Sequence, residues 1–123
     1  MQNEPNAIEI DLSPRFTRDL RDLSKHYRKI RSDLQPLIDR LLEGETPGDR
    51  IQGTQSIVFK IRLKNSDIQK GKSGGYRVVY YLKSLDKILL ITIYSKSDRD
   101  DIELDTLIAI ITEYEKRFLN PGA

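Results

Sequence analysis

A row of cations on one predicted strand is the feature of this sequence most suited to chemistry. From position 57 to position 64 apolar residues alternate with charged ones, and the cations are Lys60, Arg62 and Lys64. A period of two places these three residues on one face of a strand. Such a row can bind a polyanion and can stabilise the negative charge that develops on a phosphate. The same pattern also keeps an exposed strand soluble, so the alternation alone leaves both interpretations open.

Two further predicted strands, at positions 76–82 and 88–96, would extend this surface. The cationic face is predicted to continue with Arg77, Val79, Tyr81, Thr92, Tyr94 and Lys96. The opposite face would be a one-sided apolar core, made of Phe59, Ile61, Leu63, Val78, Tyr80, Leu82, Leu89, Ile91 and Ile93. Like charges on adjacent strands repel each other unless an anion lies between them. Because tyrosines can also stack on unpaired bases, nucleic acid suits the cationic face.

The remaining elements would support this sheet. Residues 7–12 alternate as a first strand, and Ser13-Pro14 is typical of an N-cap followed by proline at the first helical position. Two helices with apolar stripes follow as far as Gly44, and another helix ends the chain. The order β-α-α-β-β-β-α predicts one α+β domain over residues 1–123. We expect a small, mainly antiparallel sheet with an N-terminal helical hairpin and a C-terminal helix.

The composition excludes several kinds of chemistry. Cysteine is absent, which excludes disulfides, cysteine-bound zinc and thiol nucleophiles. His26 is the only histidine and falls on a charged predicted helix, so a Ser-His-Asp triad has no support. Asp98, Asp100 and Asp101 suit the start of a helix better than a metal site, and we expect no metal and no other cofactor. The sequence shows neither a membrane-length apolar run nor a secretory signal, and the absence of cysteine is compatible with a reducing cytoplasm.

A glycine-rich segment at positions 71–75 precedes the strand that carries Arg77. It begins with Gly-Lys-Ser, like the end of a phosphate-binding P-loop, but the upstream glycine of that motif is missing and a strand follows. The glycines instead permit a sharp turn or a close approach to a phosphate backbone. Lys72, inside this segment, is therefore a candidate contact to the substrate.

Three stretches of the sequence resemble the RelE/ParE toxin superfamily of bacterial type II toxin–antitoxin systems, most closely its RelE and HigB-like branch. They are KIRLK at positions 60–64, GKSGGYRVVYY at 71–81 and IYSKS at 93–97. The resemblance covers nearly the whole chain, because the predicted order of elements also matches. It implies a small cytoplasmic toxin that cleaves mRNA on the ribosome without a metal, through attack by the RNA's own 2′-hydroxyl. It also implies a cognate antitoxin protein, with which the toxin could form a heterotetramer.

The resemblance implies roles for particular residues. Lys60, Arg62 and Lys64 match the basic strand of the family and Arg77 matches the arginine that follows Gly-Tyr, so these four are the expected catalytic residues. Arg77 would clamp the phosphate with two hydrogen bonds. The residues expected to bind the substrate are Lys72, Tyr81, Tyr94 and Lys96.

Two positions depart from the family pattern and keep other functions open. Ser97 stands where the family has an arginine, and Glu103 stands where it has a tyrosine at the start of the last helix. The residue that would act as general acid is therefore not assigned, although Tyr81 or Tyr94 could take that role. The departures favour a ParE-like inhibitor of DNA gyrase, whereas the retained cations favour a nuclease. A non-catalytic RNA-binding member of the family is the third alternative.

Overall fold

The protein is an α+β structure in which a five-stranded, mostly antiparallel sheet is combined with three helices in the part of the chain that is described. A computed structural model describes residues 7–68, 75–96 and 101–119. The elements are β1 (Glu9–Leu12), α1 (Pro14–Ser24), α2 (Ile30–Leu42), β2 (Asp49–Arg50), β3 (Val58–Leu63), β4 (Tyr76–Ser84), β5 (Lys87–Ser95) and α3 (Leu104–Leu119). The predicted α+β class with a mainly antiparallel sheet is confirmed. The two-residue strand β2, which pairs with β3 at one edge, was not predicted.

The strands lie in the order β1-β5-β4-β3-β2, with β1 parallel to β5 and the other neighbours antiparallel. Helix α1 begins where β1 ends, and Ser13 is its N-cap as predicted: its hydroxyl accepts a hydrogen bond from the Phe16 amide at 2.9 Å. The same hydroxyl donates to the Ile91 carbonyl at 2.7 Å. Ser13 therefore both caps α1 and fastens it to β5.

The prediction of a one-sided core is wrong, because the sheet is buried on both faces. Helices α1 and α2 cover one face, where the buried residues are Phe16, Leu20, Ile30, Leu34, Leu37, Leu41, Tyr76, Val78, Tyr80, Ile88, Leu90 and Ile93. Helix α3 covers part of the other face, where the buried residues are Val58, Val79, Leu89, Ile91, Tyr94, Leu107, Ile111 and Tyr114. The face predicted to be cationic is thus partly apolar and is packed against the last helix.

A β-bulge explains why the predicted faces of β5 hold for Ile93 and Tyr94 but are wrong for the residues before them. Val79 pairs with Thr92 and Tyr80 pairs with Leu90, so Ile91 is an extra residue without a partner in this register. An extra residue reverses the alternation of side chains beyond it. Ile91 consequently packs on the α3 side, and the Thr92 hydroxyl donates to Asp19 of α1 at 2.7 Å instead of joining the cations.

Gly75 shapes the entry into β4, two residues before Arg77. Its φ is +75°, and a Cβ atom built there would lie 2.5 Å from the Leu63 carbonyl oxygen. The Gly75 carbonyl also accepts a hydrogen bond from the Lys96 amide at 3.0 Å, which joins β4 to the end of β5. Glycine is needed here both for its backbone conformation and for the close approach of β3.

Replacing Gly75 with alanine should therefore destabilise the protein more than the same change at Gly44. Gly44 has a φ of +91°, but a Cβ atom there would meet nothing within 4 Å. The Gly44→Ala protein should lose about 1–2 kcal/mol for the left-handed backbone alone. Gly75→Ala should lose more, because the Leu63 carbonyl must also move. Equal losses in urea unfolding experiments would show that the close approach has no energetic cost.

Candidate functional site

Three candidate residues form one row across the sheet. Arg62 of β3 lies opposite Arg77 of β4, and Arg77 lies opposite Tyr94 of β5. Adjacent strands are about 4.8 Å apart, so the row spans about 10 Å at the backbone. Lys60, two residues before Arg62, shares its face of β3. The structure therefore brings together Lys60, Arg62, Arg77 and Tyr94, all of which were predicted to belong to the site.

The row changes from exposed to buried as it crosses the sheet. Arg62 is exposed, whereas Arg77 is 8% exposed and Tyr94 is 2% exposed. The Arg77 guanidinium donates to the carbonyl of Tyr76 at 3.3 Å. Two arginines directly opposite each other repel, and a phosphate that contacts both would replace repulsion with attraction. The burial of Arg77 lowers the entropy that it loses on binding such a group.

Asp101, which was not predicted as a site residue, connects two members of the site. Its Oδ2 accepts a hydrogen bond from the Lys60 ammonium at 3.0 Å, and its Oδ1 accepts one from the Tyr94 hydroxyl at 2.8 Å. These hydrogen bonds, first from Lys60 and then from Tyr94, hold the pKa of Asp101 below its usual value, and the charge of Lys96 adds to the effect. Asp101 is therefore ionised at neutral pH.

Asp101 owes its position to the way α3 is held against the sheet. The Tyr114 hydroxyl of α3 donates to Asp11 of β1 at 2.5 Å, and Glu115 of α3 accepts from the Tyr81 hydroxyl of β4 at 2.6 Å. Asp101 comes just before this helix, which begins at Leu104. Only the clustering of acids before the last helix marked this segment in the sequence, and that clustering indicated a helix start and not a contact with Lys60.

Tyr81 lies on the same face as the row but is separated from it. It is four residues along β4 from Arg77, which is about 13 Å in a strand. Burial and then the hydrogen bond to Glu115 raise the pKa of Tyr81 to about 12. Glu115 also binds the Lys83 ammonium at 2.8 Å. These contacts give Tyr81 a place in the docking of α3, and the structure does not bring it next to Arg77.

The other predicted cations lie at the end of the sheet next to the row. Lys64 follows β3 and Lys96 follows β5, and both side chains are exposed. Both strands are antiparallel to β4 and therefore end on the same side of the sheet. Lys72 lies outside the described residues, as does Ser97. The described part of the site thus carries up to five cations around one carboxylate.

A second surface, a groove of about 600 Å³, lies between the start of α1 and helix α3. Its lining includes the apolar side chains of Leu12, Leu89, Ala109 and Ile110. The cations around it are Arg15, Arg18 and Arg117, and Glu113 is the acid. The groove therefore combines an apolar lining with an excess of positive charge.

No model of a known protein family matches the chain. The described residues contain no group of three or more histidines or carboxylates that could hold a metal ion. None of the helices in this part of the chain has the length and hydrophobicity of a membrane span. The function therefore has to be inferred from the row of residues and its surroundings.

The pKa of Asp101 offers a direct test of the contacts around Lys60. Removing the ammonium with Lys60→Ala should raise the pKa of Asp101 towards its ordinary value of 3.8. Lys64→Ala should leave that pKa unchanged, because Lys64 is not among the groups that lower it. A carboxyl-carbon NMR titration of each protein gives the values.

The same titration has a consequence for stability. Since the pKa of Asp101 is lowered by folding, its contribution to the free energy of unfolding is present above pH 3.8 and is lost as the pH falls through the lower folded value. The contribution should be small, because the Asp101 side chain is 57% exposed. If Lys60→Ala leaves the pKa of Asp101 unchanged, the contact does not persist in solution.

Proposed function

We propose that this protein is a toxin of the RelE/ParE superfamily that cleaves mRNA on the ribosome. The observation that carries the proposal is the row of Arg62, Arg77 and Tyr94 with Lys60 on the same face. The resemblance of three stretches of the sequence to that superfamily supports it, and so does the α+β class of the fold. A cytoplasmic location and a cognate antitoxin are part of the same proposal.

The proposed reaction requires positive charge around the phosphate, and the row provides it. The 2′-oxygen of one nucleotide attacks the adjacent phosphorus, the bond from phosphorus to the 5′-oxygen breaks, and a cyclic phosphate remains. The phosphorane gains negative charge on its non-bridging oxygens, which Arg62 and Arg77 can bind. The positive charge of Lys60 near the 2′-hydroxyl favours loss of its proton, which passes to a water molecule. Lys64 and Lys96 extend the positive surface for the neighbouring phosphates.

Tyr94 would take part through its hydroxyl. Tyr94 is 2% exposed, so it cannot offer the face of its ring to a stacking base. The hydroxyl donates its proton to Asp101 at 2.8 Å, so Tyr94 would help to orient that carboxylate, and the proton for the departing 5′-oxygen would come from a water molecule. Binding to the ribosome would fix the mRNA with the 2′-oxygen in line with the bond that breaks, which is the geometric part of the catalysis.

The groove between α1 and α3 suits the antitoxin that the proposal includes. An amphipathic segment could bury apolar side chains against Leu12 and Ile110 and place carboxylates near Arg15, Arg18 and Arg117. Arg18 is exposed and forms no hydrogen bond or ion pair with the rest of the described chain. Its charge is therefore available to an acidic partner.

Substituting either arginine should slow cleavage strongly. Arg62→Ala and Arg77→Ala should each lower the rate of mRNA cleavage on translating ribosomes by about 10²–10³-fold, since each removes a donor to the developing charge. Arg31→Ala is the matched control, because Arg31 is an exposed arginine on the helix α2. Primer extension on the mRNA gives the rate. Because Arg77 is buried, its variant is also checked by thermal unfolding.

The alternatives predict different outcomes of the same assay. A ParE-like inhibitor would leave the mRNA intact and block supercoiling by DNA gyrase. A non-catalytic family member would bind RNA and neither cleave it nor inhibit gyrase. Cleavage that is as fast with Arg62→Ala as with the wild type would contradict the assigned site even if the protein is a nuclease.

A further inference from the structure

We propose that Asp101 is a positioning residue of the RNA-cleaving site, holding the Lys60 ammonium and the Tyr94 hydroxyl in one arrangement. This inference rests on the proposed function and deepens it. Asp101 is the carboxylate that contacts both the cationic strand β3 and the tyrosine of β5. It follows from contacts between distant parts of the chain that the pattern of the sequence does not indicate.

The geometry makes Asp101 a bridge across the centre of the sheet. Lys60 is in register with Val79 and Thr92, whereas Tyr94 is in register with Arg77 and Arg62. The two side chains therefore start from different rows and from strands separated by β4. The Asp101 carboxylate accepts a hydrogen bond from each of them: Oδ2 lies 3.0 Å from the Lys60 ammonium and Oδ1 lies 2.8 Å from the Tyr94 hydroxyl. Asp101 thus fixes the distance between the two groups on the face that carries Arg77.

The contact with Asp101 fixes the positions of the Lys60 ammonium and the Tyr94 hydroxyl before the substrate binds. A lysine side chain has a flexible stem of four carbons. Because Asp101 already holds the Lys60 ammonium, less conformational entropy is lost when the substrate binds. Of its three N–H donors one is used by Asp101, so two remain for the substrate. Tyr94 directs its proton to Asp101, which leaves a lone pair of its oxygen facing other donors. The orientation of both groups is set before the RNA arrives.

Two other interpretations of the contact make different predictions. An ion pair at the surface contributes little, and the Lys60 side chain is 32% exposed and that of Asp101 57% exposed. In that case Asp101 would have no effect on cleavage. Alternatively, the carboxylate could occupy the place of a substrate phosphate, and its removal would then accelerate the reaction. The hydrogen bond from the buried Tyr94 favours a positioning role over both.

The test compares Asp101→Asn with the wild type in single-turnover cleavage on ribosomes programmed with a short mRNA. We expect the maximal rate to fall by about 10- to 100-fold, because the ammonium is no longer held. The concentration for half-maximal rate should not rise, since the removed charge is negative and the RNA is anionic. Asp101→Glu should restore part of the rate. Asp105→Asn, an exposed acid in the first turn of α3, should cleave like the wild type.

Several results would overturn the inference. An unchanged cleavage rate with Asp101→Asn would show that the contact is only a surface ion pair. An increased rate would show that the Asp101 carboxylate competes with a substrate phosphate. Weaker binding together with a lower melting temperature would assign it to the docking of α3. If the wild type itself does not cleave, the proposed function fails and the inference fails with it. If the wild type cleaves and Asp101→Asn cleaves equally well, only the inference fails.

Discussion

The burial of β4 and β5 on both faces is the constraint on which the rest of the structure depends. A sheet with one buried face can change register by two residues and keep its apolar side inwards, whereas β4 contributes Val78 and Tyr80 to one core and Val79 to the other. Any slip would therefore leave a cavity or bury a charge. The fixed register is what holds Arg62 opposite Arg77 in spite of their repulsion.

The bulge in β5 connects this packing to the candidate site. Leu90 and Tyr94 are four residues apart and would share one face of a regular strand. Because Ile91 is an extra residue, Leu90 instead lies in the core under α1 and α2, and Tyr94 lies on the face that carries α3 and the arginines. The same irregularity lets Thr92 bind Asp19 and so hold α1. Bulges often occur next to active sites because they redirect a side chain. Here the redirected side chain is the tyrosine that completes the row.

Much of the fold followed from local patterns in the sequence. The alternation at 57–64 predicted the cationic face of β3, the Ser13-Pro14 pair predicted the start of α1, and the α+β class followed from the order of the elements. The bulge could not be predicted, because an apolar run such as residues 88–93 fits either face of a strand that is buried on both sides. The burial of the sheet on both faces could not be predicted for the same reason. The contacts of Asp101 with Lys60 and of Tyr81 with Glu115 depend on how α3 packs against the sheet, and the periodicity of the sequence gives no information on that packing.

Chemical identification of the ends of cleaved mRNA would decide most directly whether the row of arginines acts on RNA. Purified protein would be added to a translation reaction, and the mRNA fragments would be separated and their termini identified. Attack by the 2′-hydroxyl predicts fragments cut within the coding sequence, with a cyclic phosphate on one side of the cut and a 5′-hydroxyl on the other. Intact mRNA, or fragments that carry a 5′-phosphate and a 3′-hydroxyl, would contradict the proposed reaction.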